Sequence, residues 1–430
     1  MQEAAAERIP IDDTVPSSEV AGLVRAWVER HVPEAWREAA RRGGPAAVRQ
    51  VRPVGDYEAW YPVFGRSGLV APTWPVAYGG LGVAPGTARL IETELRPLNL
   101  GRLNPLGLNQ AASALLAYGT EEQRQRFLPP ILTNEEVWCQ LFSEPGAGSD
   151  LAGLATRAER DGEEWIVTGQ KVWTTWAHKS DFAVLLARTA PELPKRQGLT
   201  FFLISLHQPG VDVRPLRHMG GEVDFNEVFL DAARVPDFQR VGPPGAGWKV
   251  AAATLSSERQ MVAGSGSGGV DRIGGSSAQR LIPRSRRPDV EDGGRGWSDP
   301  VVRQRLMALY SEERIRDWTN QRVRARARAG LAPGPESSIG KVHQARLNQM
   351  VQLLAVDLLG PGATAWERTG PDYPDGIPFE VSGMLRSRAN GIEGGTTEIN
   401  KNILAERVLG LPREPDPWLD APWQDVPRGG

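Results

Sequence analysis

Apolar positions at Val20, Leu23, Val24, Trp27, Val28 and Val32 recur at the spacing of one helix face. Ser17 and Ser18 are candidate caps, and Pro33 marks the helix end. Breakers crowd Pro72 to Gly82, which reads as a loop. Further helical patterns cover Thr87 to Leu98 and Asn109 to Tyr118. The second is followed by Gly119 and a capping box beginning at Thr120. The pattern changes near Val137. Between Glu164 and Val235 the apolar runs are short. Phe182 to Leu186 and Thr200 to Leu206 are nearly continuous, and Asn226 to Leu230 alternates, so strands are expected. Helical spacing returns after Gly247 and continues to about Leu409. It is interrupted at Gly264 to Gly275 and at Pro283 to Pro300, and the second interruption reads as a loop. Pro412 to Gly430 is Pro-rich and reads as extended. Helices, then strands, then helices predict an α+β chain of three domains: residues 1–136, 137–243 and 244–412, with a tail at 413–430.

Composition narrows the chemistry. The 430 residues are enough for two or three cores, and a net charge of −2 gives no reason to expect nucleic acid or an anionic membrane surface as partner. No stretch approaches the roughly 18 apolar residues of a membrane span. Residues 1–13 lack the apolar run of a signal peptide, so cytoplasmic localisation is expected. Cys139 is the only cysteine, which excludes an intrachain disulfide and fits a reducing compartment. The five histidines lack the close helical spacing of a zinc site, and no metal is expected. Arg284, Arg286 and Arg287 could meet a phosphate, but Asp289, Glu291 and Asp292 follow at once, as in a solvated loop. Arg322, Arg324, Arg326 and Arg328 spread around a helix without the interleaved aromatics of a nucleic-acid groove.

Three segments carry candidate chemistry. Gln140-Leu-Phe-Ser-Glu-Pro-Gly-Ala-Gly-Ser-Asp150 closes the first helical block. Gly169-Gln-Lys-Val-Trp-Thr-Thr175 lies among the strands. Ile392-Glu-Gly-Gly-Thr-Thr-Glu-Ile399 comes late in the last helical block. Glycines around Ala147 let a backbone approach a ligand, and free amides there can hold a pyrophosphate; they also suit a surface turn. Trp173 and Thr175, two apart, would share one face of a strand, an aromatic plate beside a hydroxyl. In this order the segments resemble the acyl-CoA dehydrogenase family over roughly residues 17–412. The resemblance implies an N-terminal helical domain, a middle β-barrel, a C-terminal four-helix bundle and FAD as cofactor. It places Gln140, Leu141, Phe142 and Ser143 along the flavin, with Trp173 and Thr175 beside it. Ser149 would meet the FAD phosphates or the substrate's thioester arm. Gly360 and Gly362, in a glycine turn split by Pro361, resemble a turn that meets FAD across a dimer, and they equally suit a helix stop. Thr396 and Glu398 match positions that close over FAD.

The family reaction needs a carboxylate to take the proton alpha to a thioester while the beta hydride goes to flavin N5. The base requires a dry pocket. Many members carry it immediately before the Gly-Thr of the late motif, where this chain has Gly394. Glycine keeps an amide for the thioester carbonyl but cannot take a proton. Some relatives place the base on the first helix of the C-terminal domain, and the corresponding residue here is Glu258, beside Arg259. Glu258 is the preferred base and Arg259 a candidate substrate contact. Glu393, one residue from the usual position, is the alternative. From the residues alone, either carboxylate also suits a solvated helix or an ion pair.

The resemblance therefore implies α,β-dehydrogenation of an acyl-CoA or acyl-carrier thioester to the trans-2-enoyl product, in lipid metabolism. Electrons would leave to an electron-transferring flavoprotein. A homodimer or homotetramer is expected, or a hetero-oligomer. Two alternatives stay open: a flavin oxidase or monooxygenase on the same fold, and a weakly catalytic subunit of a mixed oligomer.

Overall fold

The computed structural model describes residues 8–262, 277–287, 296–329, 334–364 and 377–427; within these, the side chains at 256–262, 324, 327, 328 and 337 lie outside the description. The chain opens with α1 (Ser17–His31), α2 (Glu34–Val51) and α3 (Val54–Arg66). The stripe read from the sequence is the buried face of α1: Val20, Val24, Trp27 and Val28. Ser17 and Ser18 do not cap it. Pro16 is the N-cap, and Ser17 is already helical. The helix α2 is kinked where Gly44 takes φ 61°. Its Trp36 packs edge-on to Trp60 of α3, with ring centroids 5.4 Å apart. Trp27, Tyr57, Trp60 and Phe64 complete this aromatic core.

The helix α4 (Pro85–Leu95) follows the breaker-rich loop. The stretch expected as one helix at 109–118 is in two parts: a π-helical turn, Gly107–Ala111, and α5 (Ala112–Tyr118). The helix α6 (Glu121–Thr133) starts with the expected capping box of Thr120 and Gln123. The Gln123 amide also donates to the carbonyls of Phe238 and Arg240 at 2.7 and 2.8 Å, tying the helical domain to the β domain.

The β domain comprises β1 (Trp138–Leu141), β2 (Arg157–Asp161), β3 (Glu164–Lys171), β4 (Phe182–Arg188), β5 (Leu199–Ser205), β6 (Val211–Leu216), β7 (Phe225–Pro236) and β8 (Arg240–Val241). The sheet runs β6-β7-β3-β2-β4-β5-β8, with β1 parallel to β4. Although β3 and β5 are separated along this path, Trp165 of β3 meets Phe202 of β5 with centroids 5.4 Å apart. The sheet therefore wraps around a common core that includes Leu141, Val167, Leu185, Ile204, Val228 and Val235.

The C-terminal helices are α7 (Gly247–Val262), α8 (Ala278–Ser285), α9 (Pro300–Arg328), α10 (Ser337–Leu359), α11 (Phe379–Ser387) and α12 (Thr397–Arg407). The expected break at Pro283 falls two residues inside α8. Leu281, Leu306, Leu309, Leu347, Val351 and Leu354 form this domain's core. Arg284 pairs with Glu380 at 3.3 Å and Arg286 lies 4.2 Å over the Trp297 ring, so two members of the basic cluster are held internally. The tail is not simply extended. Residues 411–416 have no regular structure, but Pro422 bridges to Pro194 and Trp423–Asp425 forms a 3-10 turn against the β domain. Among the described residues no helix is long and apolar enough to cross a membrane.

Candidate active site

The first two motif segments lie side by side. Lys171, the last residue of β3, is fully buried. Its Nζ donates to the Phe142 carbonyl at 3.0 Å, the Leu186 carbonyl at 2.9 Å and Glu144 Oε1 at 2.8 Å. The Val172 amide donates to the Ser143 carbonyl at 2.9 Å. The buried Glu144 accepts from the amides of Ala155 and Thr156 at 2.7 and 2.9 Å, closing the loop 144–156 upon itself. Burial opposes ionisation of Glu144, but Lys171 and these hydrogen bonds hold its carboxyl below the usual range. Burial also lowers Lys171, and Glu144 partly offsets that. The pair is ionic, and its geometry fixes where β1 ends and the glycine turn begins.

That turn fits a phosphate-bearing cofactor. Gly146, Gly148 and Ser149 are exposed, and their amides have no partner among the described residues. A Cβ added at Gly146 or Gly148 would meet nothing within 4 Å, so a ligand can reach the backbone. Close to this loop the buried cations Lys171 and Arg188 stand against the buried carboxylate Glu144, and Asp150 at the end of the turn is paired with Lys195, so the balance of charge favours an anion. Nearby, Gln140 Oε1 is buried without a hydrogen-bond partner. Leu141 and Phe142 are buried and Ser143 is half-buried.

Trp173 and Thr175 do not lie on a strand as expected. Pairing of β3 ends at Lys171, and Trp173 takes φ 60°. The cause is Asn226 on β7. Its carbonyl accepts from the Thr174 amide at 3.1 Å, and its Nδ2 donates to the Thr174 carbonyl at 2.9 Å. This turns Thr174 inward and leaves the Trp173 ring 56% exposed, backed by Phe225 at 5.8 Å. Thr175 is half-buried. The result is an exposed aromatic plate directly after Val172, whose amide meets the Ser143 carbonyl, and such a plate suits a flat ring.

The late motif sits in the C-terminal domain, and no hydrogen bond joins it to the other two among the described residues. Gly394 and Gly395 have φ of 65° and 85°. The Thr396 hydroxyl caps α12 by accepting from the Ile399 amide at 3.2 Å, and Glu398 is exposed in the first turn. Glu393 is engaged on both oxygens. Arg386 donates to Oε1 and Oε2 at 3.3 and 2.8 Å, and Asn390 donates to Oε1 at 2.9 Å. Gly360 ends α10 with φ 57°, and among the described residues a Cβ added at Gly360 or Gly362 would meet nothing within 4 Å. Glu258 and Arg259 lie on α7, but their side chains lie outside the described residues. One turn before Glu258, the buried Thr254 hydroxyl donates to the Gln110 carbonyl of the π-helical turn at 3.3 Å. The face of α7 that carries Thr254 is thus turned toward the N-terminal domain.

Glu144, Lys171, Arg188 and Asn226 were not singled out from the sequence. Glu144 and Lys171 lie within the two quoted motifs, and a lysine closing an apolar strand was the available signal. Asn226 opens an alternating strand and gives no such sign. One further cluster, His218, Glu222 and Asp224, brings its potential ligand atoms within 4.8 Å of one another. The Gly220 amide donates to His218 Nδ1 at 3.0 Å, so in the neutral ring the proton is on Nε2, facing Glu222 Oε2 at 3.4 Å. The two atoms are within ion-pair distance, but neither makes a hydrogen bond, and burial leaves both unsatisfied among the described residues.

Comparison with known proteins adds to this geometry. The chain matches the family model of the acyl-CoA dehydrogenase N-terminal domain over residues 17–135, the middle domain over 139–233 and the C-terminal domain over 245–409. It is 36% identical over 405 residues to acyl-CoA dehydrogenase IpdE1 of Mycobacterium tuberculosis (strain ATCC 25618 / H37Rv), covering 92% of this chain and 98% of that one. Its structure is similar to that of the Tcur3481-Tcur3483 steroid ACAD, with TM-score 0.68 and 26% identity, covering 94% and 100% of the two chains. A chain of the ChsE4-ChsE5 complex from Mycobacterium tuberculosis gives TM-score 0.66 and 27% identity, covering 95% and 100%.

Proposed function

The chain belongs to the acyl-CoA dehydrogenase family, FAD-dependent oxidoreductases acting on acyl-CoA, and on that premise we propose that it desaturates an acyl thioester between Cα and Cβ with Glu258 as base. The observation that carries the choice of base is the engagement of Glu393. Both its oxygens are taken by Arg386 and Asn390, and Gly394 beside it has no side chain. Glu258 lies on a helix whose buried face meets the π-helical turn of the N-terminal domain.

In this reading the substrate carbonyl accepts from the Gly394 amide, which stabilises the negative charge that grows on oxygen as the α C–H bond breaks. The α proton passes to a Glu258 carboxylate oxygen. Bound FAD supplies the acceptor for the β hydride. Trp173 holds the ring from one side, the turn at Gly146–Ser149 holds the phosphates, and Ser149 and Arg259 contact the substrate's thioester arm. The product is the trans-2-enoyl thioester, and an electron-transferring flavoprotein takes the electrons onward. A steroid-derived acyl thioester is the substrate class to test first, because a solved neighbour over most of the chain is named a steroid ACAD.

Anaerobic bleaching of the oxidised flavin by a panel of acyl-CoAs tests the reaction. Glu258→Gln should keep FAD and lose bleaching by about 10²–10⁴-fold. Full activity in that variant removes Glu258 from the mechanism, and oxygen uptake coupled to turnover would replace the dehydrogenase with an oxidase. A mixed oligomer is the second reading, because both solved neighbours are named as pairs of proteins. The chain purified alone would then retain no FAD.

A further inference from the structure

We propose that Trp423, on the carboxy-terminal tail, is a positioning residue for the glycine turn and so for the chain's hold on FAD; this rests on the assignment of that turn to the cofactor phosphates. Three consecutive carbonyls follow the turn in the 3-10 segment Leu151–Gly153 and at Leu154, and each has a donor from elsewhere in the chain. Arg188 Nη2 donates to Ala152 at 2.6 Å and Arg188 Nε to Leu154 at 3.1 Å, while Trp423 Nε1 donates to Gly153 at 3.1 Å. The Arg188 guanidinium lies 4.1 Å from the centroid of the Trp423 ring, so the two donors also fix each other. Arg188 reaches further to the Lys195 carbonyl at 3.1 Å, and Lys195 Nζ meets Asp150 Oδ2 at 2.7 Å.

The tail is seated by its own backbone. The Trp423 amide donates to the Leu193 carbonyl at 2.9 Å and the Gln424 amide to the Pro191 carbonyl at 3.1 Å. The indole is only 9% exposed. On its other side the loop is closed by Glu144, whose oxygens accept from Ala155 and Thr156. The loop that carries the turn at 146–149 is therefore held by Glu144 and Arg188 of the β domain and by Trp423 of the tail. Amides that bind an anion must already be aimed when it arrives, because ordering them on binding lowers affinity. The tail provides that order.

The test uses the full chain and FAD itself. Trp423→Ala removes ring and donor, and Trp423→Phe keeps a ring over Arg188 but removes the bond to Gly153. FAD dissociation is read by flavin fluorescence, and amide hydrogen exchange is followed at residues 144–156. Losing the hydrogen bond and the cation–π contact should weaken FAD binding about tenfold in Trp423→Ala, with a smaller loss in Trp423→Phe. Exchange at 146–149 should quicken in the same order. The loss should fall on FAD affinity rather than on kcat at saturating FAD. Unchanged FAD affinity and unchanged exchange in both variants overturn the proposal. If Trp423→Ala does not fold, Trp423→Phe decides alone. If the wild-type chain takes up no FAD, the cofactor assignment falls, and exchange at 146–149 still decides whether Trp423 orders the turn.

Discussion

Lys171 Nζ lies 2.8 Å from Glu144 Oε1, with 0% and 8% of the two side chains exposed, where the two segments assigned to the flavin meet. Removing one partner leaves the other charge buried. Lys171→Met should therefore destabilise the chain by about 3–5 kcal/mol, read from denaturant midpoints at constant slope. Flavin content should fall with it, because Lys171 also holds the Phe142 carbonyl. A variant with wild-type stability would mean that the pair does not order this junction.

Acid should weaken the fold through specific carboxyls. A hydrogen bond from Arg240 holds Asp237 at about 2 from an ordinary 3.8, and Glu144 is also lowered. In both cases the folded value lies below the unfolded one. Asp237's stabilisation is present above roughly pH 4 and is lost as pH falls toward about 2, and Glu144's is lost as pH falls below its ordinary range. Melting temperature measured from pH 5 down to pH 2 should drop through that window, and Asp237→Asn should flatten part of the drop. An unchanged slope in Asp237→Asn would remove Asp237 from the account.

Asn226 sets the loop that carries Trp173. Asn226→Ala removes the bond to the Thr174 carbonyl in a fully buried site, a loss of about 1–3 kcal/mol. FAD should dissociate faster from the variant, and the fluorescence of Trp173 should report greater mobility. Unaltered FAD release would show that the plate is held by other means.

Glu393→Gln separates the two carboxylate candidates. The ion pair with Arg386 is partly exposed, so its loss should cost only about 1 kcal/mol. Flavin bleaching should stay within about tenfold of wild type, against the much larger loss in Glu258→Gln. If bleaching is abolished instead, the base belongs to the late motif.

Much of this architecture is legible in the sequence where one neighbourhood decides the outcome. The period of α1 and the box at Thr120 and Gln123 are local and appear as read. The nearly continuous apolar run of β4 also has a simple origin. Val184 and Leu186 face the core shared with the helical domain, and Ala183, Leu185 and Ala187 face the barrel-like core, so neither side is polar. Features set by distant partners are not legible. The departure of Trp173 from the strand depends on Asn226, more than fifty positions away. The docking of the tail depends on Arg188, far away on β4.

Trp173 has one further consequence. An L-residue at φ 60° crowds its own side chain against the backbone, at about 1–2 kcal/mol, and bulky residues seldom adopt this conformation. Glycine there would relax the backbone and remove exposed apolar surface. A selection for heat resistance alone should therefore favour Trp173→Gly, and the resulting protein would outlast the wild type while losing its flavin. Under the proposed flavin contact, durability and cofactor binding would select different residues at position 173.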